Sequence, residues 1–373
     1  MQKKAINFAV IGGGHGGQAL AAYLAYLGHN VNLYNRTFER IKKISEQGYI
    51  DMEGIISGRG YINLATDDME EAIRETHIIM VAVPANAHRH IATLMAPYIS
   101  DEQYIVLNPG RTGGALEFYN IIKNINPEKN PCIVEAQTLL FACRIVEEGK
   151  VAVLGKKNNV KVAALPAVRT REFIEKIHRI IPEFVQTHSV LDTSFNNIGA
   201  ILHPIPTILN CGRIESTNGN FLHYIEGITP SVAKIMLKAD YERMKVAEAL
   251  GAKPISLMEW LGYTYNAYGK TVCEALQKVQ GYMGIKAPST LDTRYIFEDV
   301  PHSLVPIADM GRHLGIETPT INSIIHMASI IHDKDYYKTG RRVEDMGIDG
   351  LDADEIMNYV INGETTSSKE VVA

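Results

Sequence analysis

The chain has 373 residues, more than one ordinary core holds and enough for two domains. With 46% hydrophobic and 21% charged residues it has the composition of a soluble globular protein, not of a disordered chain. A formal net charge of −5, with no large basic block, does not call for nucleic acid or an anionic membrane as a partner.

The opening stretch MQKKAINFAVIGGG combines basic residues with a short apolar run. That run ends in glycines, not in a cleavage site. No stretch approaches the roughly 18–20 apolar residues of a bilayer span. Cys132, Cys143, Cys211 and Cys273 are scattered, with no CxxC pair, as reduced cytosolic thiols are. The expected location is cytoplasmic.

In chain order, residues 5–11 (AINFAVI) form a continuous apolar run that fits a buried parallel strand. GGGHGG follows, then a helix QALAAYLAYLGH that Gly28 stops. Further strands are expected at NVNLYN, HIIMVAVP (77–84), QYIVLNP (103–109) and CIVEAQ. Helical segments NAHRHIATLMAPYI and ALEFYNIIKNI come between them. This alternation is that of βαβ units on a mainly parallel, doubly wound sheet, a Rossmann-type α/β domain. KVAVLG, VKVAAL and FVQTHS add shorter strands. From about residue 190 the pattern turns helical. The expected organisation is a dinucleotide-binding Rossmann domain over 1–188, an all-α substrate domain over 189–364, and a flexible tail over 365–373.

Gly12, Gly14 and Gly17 make G-x-G-x-x-G between the first strand and the first helix. The first glycine allows the tight turn, the second admits a pyrophosphate to the backbone, and the third brings helix and sheet together. The helix N-terminus would then offer N–H groups and a positive dipole end to phosphates. His15, inside the turn, is assigned no chemistry. At the end of the second strand a ribose 2′-hydroxyl calls for an acid and a 2′-phosphate for an arginine. This chain reads LYNRTFER, with Asn35 and Arg36 in place of the acid and Arg40 following. NADP is therefore favoured over NAD, against the simpler reading of Arg36 as a surface partner of Glu39. Pro84 closes the third strong strand and should flank the cofactor.

The second half supplies the candidates for chemistry. His203 lies in the apolar run GAILHPIPTILN between two prolines; a lone histidine there is usually a core residue. Asp299 precedes VPHSLVPIADMG and would serve as a helix cap. Arg294 and Glu298, four apart, would make a surface pair. Spacing alone makes none of them catalytic.

HPIPTILN-CGRIE, LNPGRTGGALEF and RYIFEDVPHSLVPIADMGRHLGIETPTI resemble the opine dehydrogenases, the octopine/nopaline dehydrogenase family, over most of the chain. The resemblance implies NAD(P)H-dependent reductive coupling of a 2-oxo acid, often pyruvate, to an amino acid through an imine. It also implies a catalytic dyad at His203 and Asp299, and a grip on a substrate carboxylate at Arg294. Imidazole suits a reaction that moves protons near neutral pH, and a carboxylate beside it fixes its tautomer. Asn197 is a weaker candidate for orienting substrate. Many members favour NADH, so the resemblance lends NADP no support. Helical second domains in such enzymes often dimerise, which makes a homodimer the candidate assembly.

No metal site is expected. His88 and His90 diverge on their helix, and Asp352 with Glu355 reads as a capping box. Two alternatives stay open. One is a ketopantoate-type 2-oxo acid reductase relying on a lysine such as Lys234 or Lys238. The other is a cofactor-binding sensor without turnover.

Overall fold

The computed structural model describes residues 5–363; the tail expected at 365–373 lies outside them. The chain packs as two units. One gathers the described residues up to Gly110, Gly114–Thr193 and those from Asn358 onward; the other holds Arg111–Gly113 and Ser194–Met357.

The first unit contains twelve strands: β1 Asn7–Ile11, β2 Asn30–Tyr34, β3 Tyr49–Gly54, β4 Gly58–Tyr61, β5 Leu64–Thr66, β6 Ile78–Val81, β7 Tyr104–Leu107, β8 Cys132–Ala136, β9 Phe141–Glu147, β10 Lys150–Lys156, β11 Val160–Leu165 and β12 Phe184–Gln186. Eight of them form one sheet in the order β12-β11-β8-β7-β6-β1-β2-β5. The run from β5 through β8 is fully parallel and doubly wound, as the alternating pattern requires. β11 joins it antiparallel to β8. Strands β6, β7 and β8 are buried along their whole length, which explains their unbroken apolar sequences.

A second sheet, β4-β3-β10-β9, was not foreseen beyond the single strand KVAVLG. Its strands alternate buried and exposed residues, with Asp51, Glu53 and Arg59 on the solvent side. It packs on the helix α1, His15–Tyr26. That helix therefore meets a sheet on two sides, and Gly17 through Leu24 are all buried. This explains its uncharged sequence, HGGQALAAYLAY. The helix Ala353–Asn362 ends in the first unit, where Tyr359 meets Tyr119 edge to face.

The second unit is helical, with one isolated β-bridge, Leu222 to Lys286, among the described residues. Its long helix Pro230–Ala249 carries Arg243, whose Nε donates to Asp240 at 2.9 Å and whose Nη2 donates to the Ile255 carbonyl at 2.6 Å. Asp240 in turn accepts from the Leu257 amide. Asp352 and Glu355 form the expected reciprocal cap, each side chain accepting from the other's backbone N–H at 2.9 Å. Among the described residues no helix is long and apolar enough to cross a membrane.

Candidate active site

The glycine turn lies where the strand order reverses, between β1 and its neighbours β2 and β6. Gly12 has φ 119, and a Cβ there would fall 2.6 Å from the Ala82 carbonyl oxygen. A Cβ on Gly17 would fall 1.6 Å from the Gly12 oxygen, so the helix approaches the turn as closely as backbone allows. Gly14 faces open space at the start of α1. No side chain caps that helix and no acid occupies its first turn. The turn fits a dinucleotide pyrophosphate: it is a bare backbone concavity at a positive helix end.

The residues after β2 divide their work. The Asn35 carboxamide accepts from the Gly13 amide at 2.9 Å and donates to the Thr37 carbonyl at 2.8 Å, bracing the turn. Arg36 is exposed. Glu39, its alternative partner in the sequence, pairs with Lys42. Pro84, also exposed, precedes the short 3-10 turn Ala85–Ala87 beyond β6. His15 accepts from the Ile145 amide through Nδ1, which ties the turn to β9. Cys143, beside it, donates to the His15 carbonyl, and burial pushes its thiol up to about 11, out of nucleophilic range.

In the second unit His203 sits between two short helices, Gly199–Leu202 and Pro204–Leu209. The prolines of GAILHPIPTILN divide the run into these two helices, since neither can donate back to the first. They lie in the first turn of the second helix, whose amides have no intrahelical acceptor in any case. The His203 amide closes the first helix on the Gly199 carbonyl, and its own carbonyl accepts from Thr207 Oγ1 at 2.6 Å. The imidazole is thus anchored at a helix junction.

Its Nδ1 lies 3.0 Å from Asp299 Oδ2, across 96 positions of sequence. Asp299 stands at the start of a π-helical turn, Val300–Leu304, and its carboxylate caps nothing. π-helical turns recur at functional sites, where they re-aim side chains. Burial pushes the Asp299 carboxyl up, but the charges of Arg111 and then His203 outweigh it and hold the group below the usual carboxylate range. An ionised Asp299 accepts only, so Nδ1 carries a proton, and in the neutral ring Nε2 holds the lone pair. Tyr295 stacks on the imidazole, with centroids 4.5 Å apart and planes 12° from parallel.

Arg294 is exposed at the start of the helix Arg294–Phe297, and its charge also favours the ionised form of Asp299. Glu298, its expected surface partner, is buried and accepts from Arg111 Nε at 3.2 Å. Asn197 is buried; its Oδ1 lies 3.5 Å from Arg111 Nη1, and its Nδ2 has no hydrogen-bond partner among the described residues.

Three neighbours were not foreseen. Arg111 donates to Glu298 and forms an ion pair with Asp299, the two acidic residues of the EDVP segment. Tyr295 stacks on the His203 ring. His223 is fully buried against Tyr295 and Tyr224, and burial together with the nearby His203 lowers its pKa to about 3. The sequence did carry one signal: Arg111 is the sole charged residue between Glu102 and Glu117.

Among known proteins, residues 186–332 match the family described as NAD/NADP octopine/nopaline dehydrogenase, alpha-helical domain. Residues 7–134 match the N-terminus of NAD-dependent glycerol-3-phosphate dehydrogenase. The chain is 40% identical to an opine dehydrogenase of Arthrobacter sp. (strain 1C), over 95% of this chain and 98% of that one. Its fold is similar to that of octopine dehydrogenase in complex with NADH and agmatine (TM-score 0.80, 21% identity, 97% of this chain and 99% of that one). It is also similar to NADP+-bound yersinopine dehydrogenase (TM-score 0.76, 13% identity, 97% and 99%). The chain belongs to the opine dehydrogenase family, NAD(P)-dependent oxidoreductases that couple a 2-oxo acid to an amino acid by reducing the imine between them.

Proposed function

We propose that His203 and Asp299 are the proton-transfer dyad of this reaction and that a pyruvate-like 2-oxo acid is one substrate. The observation that carries the reading is the 3.0 Å contact between Nδ1 and a fully buried carboxylate, which leaves Nε2 as the basic atom. In the forward direction Nε2 takes a proton from the attacking amine as the C–N bond forms and delivers it to the carbonyl oxygen, which becomes the carbinolamine hydroxyl. It then takes the second amine proton and gives it to that hydroxyl, which leaves as water, and the imine results. The nicotinamide, when bound, supplies the hydride to the imine carbon, and His203, reprotonated from solvent, supplies the proton to the imine nitrogen. In the reverse direction neutral His203 accepts the proton of the secondary amine. Each transfer leaves a transient imidazolium that Asp299 stabilises.

Arg294 suits a bidentate hold on a substrate carboxylate because its guanidinium is exposed beside the dyad. The buried Asn197 Nδ2, which lacks a hydrogen-bond partner among the described residues, suits a substrate oxygen. Gly12, Gly14 and Gly17 would hold the pyrophosphate, and Arg36, with Asn35 bracing the turn and no acid in their place, favours NADP over NAD. Pro84 would border the cofactor. Four free thiols accord with a cytoplasmic protein, and a homodimer is the assembly to test by light scattering.

The deciding experiment follows NADPH and NADH oxidation with pyruvate against a panel of amino acids. Oxidation should require both the oxo acid and one class of amine. Oxidation with pyruvate alone, unaffected by any amine, would remove the reading.

A further inference from the structure

The carboxylate of Asp299 is met at both oxygens. Oδ2 lies in hydrogen-bond contact with His203 Nδ1 at 3.0 Å, and Oδ1 forms a close ion pair with Arg111 Nη1 at 2.9 Å without a hydrogen bond, so the guanidinium acts on it through charge. Arg111 Nε reaches Glu298 Oε1 at 3.2 Å. The Asp299 side chain is 0% exposed and that of Arg111 8%.

Two backbone features serve this contact. Arg111 has φ 62, in the left-handed region that a side chain of its size seldom occupies, and such positions persist where a group must be aimed. Gly199 leaves the space in which three side chains meet. A Cβ there would fall 2.9 Å from Arg111 Nη1, 3.1 Å from Asn197 Oδ1 and 3.2 Å from His203 Cε1.

We propose that Arg111 is a positioning residue of the dyad: it fixes the carboxylate that orients His203, and its buried charge sets the pH at which the pair releases its proton. The proposal rests on the reading of His203 and Asp299 as the proton-transfer pair. Its electrostatics are simple. A carboxylate alone beside an imidazole holds the imidazolium tightly and returns a proton slowly. A guanidinium on the other oxygen offsets part of that negative charge, so the pair releases its proton at lower pH. The other charged and titratable groups facing the dyad are Glu298, which draws off part of the Arg111 charge, Arg294, and His223 and Tyr224 behind the stacked Tyr295.

The test compares Arg111→Met, Arg111→Lys and His203→Ala in the full chain, in the oxidative direction, with the secondary-amine product as substrate. In Arg111→Met the acid limb of kcat/KM should move to higher pH by about one unit, and kcat should fall more than the KM for cofactor changes. An unmoved limb would overturn the proposal. Two buried carboxylates without their cation threaten folding of this variant, so Arg111→Lys provides an independent reading. It keeps the charge but not the two-pronged geometry; its limb should stay near the wild-type position while kcat falls about tenfold. Wild-type kcat in Arg111→Lys would overturn the positioning role. His203→Ala separates the two levels: if it stays active, the dyad reading itself fails, whereas an inactive His203→Ala beside an unmoved Arg111→Met limb sinks only the role of Arg111.

Discussion

The glycine turn and the dyad are built by opposite means. The turn spans a few consecutive residues, and its working parts are backbone: Gly12 against the Ala82 carbonyl, Gly17 against Gly12. The proposed dyad pairs side chains from positions 203 and 299, with Arg111 beside them, none of them close in sequence. At Gly12 and Gly17 the turn tolerates no added atom, whereas a side-chain site can lose a group and keep its fold. Binding and chemistry should therefore fail separately when each is damaged.

The largest effect is expected at the dyad. His203→Ala should lower kcat about 10²- to 10⁴-fold while leaving cofactor affinity, read by fluorescence titration, near wild type. Equal loss of both would break the separation. Gly17→Ala should do the reverse. Its Cβ would overlap the Gly12 oxygen, so cofactor binding should weaken at least about tenfold and stability should drop by roughly 1–3 kcal/mol. Wild-type cofactor affinity in that variant would contradict the close approach.

The third effect lies beside the dyad and sharpens the contrast between His203 and its buried neighbour His223. His223 is buried, and its pKa is lowered from 6.5 to about 3. The unfolded chain therefore binds a proton between these values that the folded chain refuses, and stability falls as pH drops below about 6.5. At pH 5 this ring should cost on the order of 2 kcal/mol relative to pH 7. In His223→Phe, the unfolding free energies from urea titration at pH 7 and 5 should lie closer together by that amount; the same gap as wild type would show that the ring is not the source. The smallest effect belongs to Arg36. Arg36→Ala should lower the NADPH-to-NADH ratio of kcat/KM on the order of tenfold, and an unchanged ratio would end its assignment to a 2′-phosphate.

What could be read from the sequence follows the same division. β1, the glycine turn and α1 were legible because each is defined by neighbours in the chain. The all-buried strands β6 to β8 announced themselves as apolar runs. The second sheet did not. β3 and β4 are short, carry charges on one face and are set off by Gly54 and Gly58, so they read as loop. His203 and Asp299 were picked out only by a family resemblance, since their spacing carries no period. Arg111 lies 187 positions from Glu298, beyond the reach of any local pattern, although an isolated charge in an apolar strand-turn was the visible trace. The NADP preference read from Asn35 and Arg36 rests on residue type alone.

The return of residues 358–363 to the first unit has a consequence for biosynthesis. Domains tend to fold in order as they leave the ribosome. Here the unit that begins the chain lacks a piece of itself until nearly all of the chain has been translated. Its sheets can form early, but Tyr119 waits for Tyr359. A fragment stopped at Thr193 would carry every glycine of the turn and still be an unfinished protein, so the first unit is better expressed with the rest of the chain than alone.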